Sequence, residues 1–211
     1  MSESEISSHA SSDNGSDDST IEVQTEKLQE YTQQIREKLK PGFMTQEELV
    51  GFGADLIAAD NHDGDAEDLA EAIVGQLWEE RLEEEKSWPA ETSHDRLERA
   101  FNRLEAQGIT AAMNFTCCRS CGFEEIGDVA NEGDHAFVFF HQQDAERLDG
   151  EDCDLYLAFG DHEDESRAAA EKAGREVVQL LRDNGLDVQW EGNANSRIVV
   201  HFDVWQKRLE Q

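Results

Sequence analysis

The sequence predicts an α+β protein, in which a helical N-terminal section is followed by a ferredoxin-like (βαββαβ) sheet domain with an added edge strand. Three observations predict it. Apolar residues recur every three or four positions as far as Leu104 and every second position from Ile109 onwards, which are the helical and strand periods. Pro41-Gly42 and Trp88-Pro89 interrupt the helical runs, because proline lacks the amide that a helix needs and disfavours helix in the residue before it. From Ile109 the pattern reads strand, helix, strand, strand, helix, strand, strand, and the first six of these form the split βαβ plan.

Taken in order, residues 1–20 hold eight Ser, five acidic residues and no Lys or Arg, with Ile6 the only large apolar side chain. Such a segment cannot offset its ordering entropy by burial, so 1–21 is expected to be a disordered acidic tail. Residues 22–107 form the helical section. Leu28, Tyr31, Ile35 and Leu39 make the stripe of a first helix ending at Pro41-Gly42. Thr45 and Glu48 form a capping box for a second, whose face is Leu49, Phe52, Leu56 and Ile57. Leu69, Ile73, Val74, Leu77, Trp78 and Leu82 mark a third over 66–86. A fourth starts at Thr92 or Ser93, buries Leu97, Ala100, Phe101 and Leu104, and stops at Gly108. The loop Ala59 to Ala70 imitates a calcium loop but has Ala where the first and twelfth ligands belong.

Residues 108–208 form the sheet domain. Ile109, Ala111, Met113 and Phe115 alternate as a strand; a short helix fits Cys121 to Ala130; strands follow at Ala136 to His141 and Asp154 to Phe159. A long helix opens at Asp164 or Ser166 and ends at Asn184-Gly185. Leu186, Val188 and Trp190 then pair with Ile198, Val200, Phe202 and Val204 as a hairpin.

Composition excludes some roles. The chain carries 18 Lys and Arg against 49 Asp and Glu, a formal charge of -31, so nucleic acid and anionic membranes are not expected partners. The acids are spread along the chain and only six of the basic residues are Lys, which is the pattern of a solvated coat more than of one binding tail. The N-terminus lacks the cationic start and apolar run of a secretory signal, and no apolar stretch approaches the ~20 residues of a membrane span. Four cysteines in such a chain are a poor disulfide framework. A cytoplasmic protein with reduced thiols is expected, its partner, if any, another protein.

The chemistry-bearing cluster is Cys117, Cys118 and Cys121. In a ferredoxin-like plan the first two strands are parallel and the third runs antiparallel between them, so Cys118, Cys121, His141 and Cys153 would meet on one sheet edge. Two thiolates, a third and an imidazole suit tetrahedral zinc, and Cys118-Arg119-Ser120-Cys121-Gly122 has the form of a zinc knuckle. On this reading Cys117 is spare. The same C-x-x-C also fits a redox pair of Cys118 and Cys121, and Cys117 or Cys118 with His141 and Asp144 can be drawn as a nucleophile, base and orienting acid. The plainest reading is that the thiols pack as small hydrophobes. The expected role is a non-enzymatic regulatory or protein-interaction domain, with zinc as its candidate cofactor. The alternative is a thiol-dependent redox protein or enzyme.

The motifs NFTCCRSCG at 114–122, FVFFHQQD at 137–144 and LYLAFG at 155–160, with the later LDVQW and SRIVV, resemble an uncharacterised bacterial family, number 6891 in the domain-of-unknown-function series. The resemblance spans roughly 95–208. It implies homologues and carries no catalytic role.

Overall fold

A computed structural model describes residues 16–60 and 66–210. Four helices lead: α1 (Ser16–Leu39), α2 (Gln46–Asp60), α3 (Ala66–Glu85) and α4 (Ser93–Glu105). Helix α1 therefore begins within the stretch expected to be tail, whose residues 1–15 lie outside the described ones, as do 61–65 of the loop resembling a calcium site. Tyr31, Ile35 and Leu39 are buried, whereas Leu28 stays exposed, so the stripe of α1 docks from its fifth turn onwards. The Thr45 cap forms as its spacing demands: the Glu48 amide donates to Thr45 Oγ1 at 3.2 Å and the Thr45 amide to Glu48 Oε2 at 2.7 Å. Thr92 caps α4 in the same reciprocal way with Asp95. Each such cap contributes about 1 kcal/mol. Helices α1, α2 and α3 enclose one apolar core around Ile35, Leu49, Ile57 and Leu77.

The second section is a five-stranded mixed sheet of β1 (Ile109–Ala112), β2 (Ala136–Phe139), β3 (Glu151–Asp161), β4 (Asp187–Gln189) and β5 (Ile198–Val204), in the order β1-β2-β3-β5-β4. Helix α5 (Arg119–Glu125) and a 3-10 turn over Ile126–Val129 link β1 to β2, α6 (Gln142–Ala145) leads towards β3, and α7 (Arg167–Asp183) joins β3 to β4. Ser166 caps α7, its hydroxyl accepting from the Ala169 amide. Helices α4 and α7 cover one face over Val138, Phe140, Leu155, Leu157 and Val200. Helix α5 and the 3-10 turn cover a smaller patch of the other, around Phe137, Phe139 and Ala158.

The mixed α+β class is as expected; the ferredoxin-like strand order is not what forms. Strands β1 and β2 are direct parallel neighbours, and β3 lies on the outer side of β2 instead of between them. Direct pairing of β1 with β2 leaves β3 only the other edge of β2, and β3 is longer than the pairing needs. Only its last four residues pair with β2, with Ala158 opposite Phe139, while Glu151 to Leu157 run past the end of β2 and pair with β5. Apolar residues of β3 alternate with the solvated Asp152 and Asp154, which is why the acidic start of this strand resembles a loop in sequence.

The segment after β5 ties both sections together. Trp205 Nε1 donates to Pro41 O at 3.0 Å, the Gln206 amide to Ser93 Oγ at 2.7 Å and the Leu209 amide to Glu85 Oε1 at 2.8 Å. Leu209 is buried in the helical core and Trp205 in the sheet core.

Candidate metal centre

The turn between β1 and α5 places the cysteines. Asn114 and Thr116 hold φ of 50° and 57°, and for a β-branched residue such as Thr116 that region costs roughly 1–2 kcal/mol. Contacts with the end of β2 hold the turn in place: the Phe115 amide donates to Phe140 O at 2.8 Å and the Gln142 amide to Thr116 O at 3.1 Å, while Thr116 Oγ1 donates to Phe115 O at 2.6 Å. Gly122 then lets α5 lie against the sheet. A Cβ there would meet Phe139 Cε2 at 2.2 Å, so no other residue fits without moving the helix or the ring.

On this support, Cys117, Cys118 and Cys121 bring their sulfurs within 4.8 Å of one another. Cys121 Sγ lies 3.6 Å from both Cys117 Sγ and Cys118 Sγ. These separations resemble the edge of a tetrahedral thiolate site, about 3.8 Å for metal–sulfur bonds of about 2.3 Å. The cluster sits at the surface, Cys117 exposed and the other two half-buried. The two knuckle thiols differ. Cys118 is pulled below the usual thiol range, first by the Cys121 amide and then by the Cys121 thiol, with the Ser120 amide assisting. Cys121 is pushed up to about 12 by its hydrogen bond with Cys118 and the charge of its neighbours.

His141 and Cys153 do not join this group. Cys153 lies five residues before Ala158, the position level with Phe139, on the stretch of β3 that pairs with β5 and not with β2. Its side chain also faces the α4/α7 core, where burial pushes its thiol up to about 11. The convergence expected for Cys118, Cys121, His141 and Cys153 depended on β3 starting at the sheet edge where β2 ends. Cys117, expected to be spare, takes a place in the cluster instead. Helical spacing carried no signal for this, because Cys117 precedes the extended N-cap Cys118 and stands outside α5.

His141 belongs to a different network. Its side chain is 7% exposed, and Nε2 lies 2.9 Å from Asp144 Oδ2. Arg197 grips the same buried carboxylate with both nitrogens, at 2.8 and 2.6 Å, and also donates to Tyr156 O. Burial pushes the imidazole down against the pull of Asp144. The His141–Asp144 pair of the drawn nucleophile–base arrangement thus exists, but no sulfur is grouped with it among the described residues. Arg197 had no sequence signal, since it lies 53 positions from Asp144. One further group of ligand-type atoms, His94, Asp95 and Glu98, is opposed by cations: Lys207 bears on His94, and Arg208 Nη1 lies 3.5 Å from Asp95 Oδ2.

Among the described residues no helix is long and apolar enough to cross a membrane. No curated protein and no solved structure matches the chain. The family described as Domain of unknown function (DUF6891) matches residues 24–209, and so takes in helices α2 to α4 and most of α1 as well as the sheet. The NFTCCRSCG turn and the helices that precede it are thus parts of one family unit, and the chain belongs to the DUF6891 family.

Proposed function

We propose that this domain is a non-enzymatic interaction module whose cysteine turn is stapled by one zinc ion through Cys117, Cys118 and Cys121. The observation that carries the reading is the three-sulfur cluster, at 3.6 Å from Cys121 to each neighbour. Zinc favours thiolates at this spacing, and binding would favour the deprotonated form of all three thiols. Three protein ligands leave a fourth position for water or for a donor from a partner. The role of the ion here is structural: the β1–α5 turn contains two left-handed residues and an exposed thiol, and a metal would hold it in one arrangement for a partner to read.

The test is metal content and cobalt substitution on the full chain. The expected result is about one zinc per chain and, with cobalt, intense thiolate charge-transfer and tetrahedral d–d bands. Cys117→Ser and Cys121→Ser should each abolish tight binding, and Cys153→Ser should leave it unchanged. Binding lost in Cys153→Ser but kept in Cys117→Ser would overturn the assignment.

A second reading is supported by the unequal thiols. A lowered Cys118 beside a raised Cys121 is the order required for disulfide exchange. Cys118 thiolate would attack a partner disulfide and displace one partner thiolate; Cys121 would then close the Cys118–Cys121 disulfide and release the second. Metal-free protein whose Cys118 reacts at neutral pH, with a reversible two-thiol loss, would favour this reading over zinc.

A further inference from the structure

The face of the sheet opposite α4 and α7 carries a second feature, independent of the cysteines. An open trough of about 470 Å³ runs between α5 with its 3-10 turn and the β3–α7 loop. Its apolar wall is aromatic. Phe137 lies along the floor so closely that a Cβ on Gly160 would meet its Cζ at 2.5 Å. Phe123 stands above, its ring edge-on to Phe137 at 5.8 Å and to Phe139 at 5.4 Å, and remains 45% exposed. Such a ring normally buries this area, and Val129, on the same 3-10 turn as Ile126 and Gly127 of the lining, is exposed as well.

The polar groups around the trough are acceptors. Glu124, Asp161, Asp164 and Glu165 line it. Among the described residues none of the four has a Lys or Arg nitrogen within 4.0 Å, and the nearby Lys172 is engaged by Glu176 at 3.7 Å. His162 also lines the trough, and the role of one of its ring nitrogens is fixed. Its Nε2 lies 2.9 Å from Thr110 Oγ1, and Thr110 spends its one hydroxyl proton on Asp134 Oδ2 at 2.8 Å. Nε2 must therefore donate to Thr110 Oγ1, which turns Nδ1 away from Thr110, with no hydrogen-bond partner among the described residues. The buried Thr110 thus fixes the ring orientation of a histidine that lines the trough.

Aromatic walls and four carboxylates without a Lys or Arg partner, of which Asp161 and Asp164 are held by backbone amides of their own loop, select one class of occupant. It must offer N–H donors and no lone pairs, carry positive charge and present an apolar body to Phe123 and Phe137. We propose that this trough is a binding site for a small organic cation, an amine or amidine bearing an aryl group. The ammonium would sit among the carboxylates and the rings would take its apolar part, with a cation–π contribution from Phe123.

The test is calorimetric titration of the full chain with phenethylammonium chloride in about 1 M NaCl, where the Debye length falls to about 3 Å and diffuse attraction to the acidic surface is screened. Ethylammonium, without the ring, and 2-phenylethanol, without the charge, are the comparison probes. One-to-one binding is expected for phenethylammonium, about tenfold or more tighter than for either comparison probe. Phe123→Ala and the pair Asp164→Asn with Glu165→Gln should each weaken it about tenfold. These side chains are exposed, and circular dichroism checks that the fold is kept. The pair Glu47→Gln with Glu67→Gln, which removes equal charge elsewhere, should change nothing. No saturable binding, equal affinity for ethylammonium, or binding indifferent to Phe123→Ala would each overturn the proposal.

Discussion

Single residues decide whether the cysteine turn can exist. Gly122→Ala would drive a methyl into Phe139, which is fully buried, and overpacking of this kind costs about 1–3 kcal/mol. Gly127 has nothing within 4 Å of its virtual Cβ. Urea midpoints should therefore fall clearly for Gly122→Ala and hardly move for Gly127→Ala; equal effects would mean that helix propensity, not contact, is being measured. Arg197→Met is a second sharp case. It leaves the Asp144 carboxylate buried without its guanidinium partner, and breaking a buried pair costs roughly 3–5 kcal/mol. Adding Asp144→Asn to it should recover a large part of that loss in the same denaturation assay, because the stranded charge is then gone. His94 gives a pH signature. Burial and Lys207 lower it to about 4, so between pH 4 and 6.5 the unfolded chain binds the proton and the folded chain does not. Stability at this site is complete above pH 6.5 and declines as pH falls towards 4, by at most about 3 kcal/mol. His94→Gln should remove that part of the acid destabilisation, read as the difference between the two stability profiles from pH 7 to 4.5.

At the level of elements, what could be read from sequence was local. Thr45 with Glu48, Thr92, Ser166 and the β4–β5 hairpin all form where their spacing places them, because caps and tight turns involve neighbours within a few residues. What could not be read was which strand lies beside which. Alternation placed a strand at Asp154 to Phe159, yet Glu151, Asp152 and Cys153 ahead of it belong to the same strand, and that extension puts Cys153 inside β3, on the stretch paired with β5. The candidate site was legible to the same degree. Cys118 and Cys121 are close because one helical turn separates them, whereas the inclusion of Cys117 depends on the left-handed Asn114 and Thr116, and nothing in composition signals those angles. The C-terminal strap is the element with the clearest energetic consequence. Trp205 packs against Phe43 and Phe202 and donates to Pro41. Trp205→Ala should cost about 3–5 kcal/mol and separate one thermal transition into two, the α1–α3 core melting apart from the sheet. A single transition that merely shifts down would show that other contacts carry the coupling.

For the whole molecule the governing quantity is charge. With 49 acidic and 18 basic residues, most carboxylates have no cation to meet, and several of those that do form exposed pairs such as Lys86–Glu83 and Arg99–Glu91. Exposed pairs contribute about 0–1 kcal/mol each and weaken in salt, which would lower stability as NaCl is added. Repulsion among the unmatched acids acts over the Debye length and is relieved by the same salt as that length shrinks from about 10 Å at 0.1 M to about 3 Å at 1 M. The two effects have opposite signs, and the excess of 31 negative charges decides between them. Melting temperature should therefore rise with NaCl over this range, each 1 kcal/mol gained appearing as about 2–4 °C for a chain of this size. Neutralising exposed acids far from any site, as in Glu47→Gln with Glu67→Gln, should reproduce part of the rise at low salt and reduce the further gain at high salt. A melting temperature that falls with NaCl would mean that the ion pairs outweigh the repulsion, and that the acidic coat does not limit the stability of this fold.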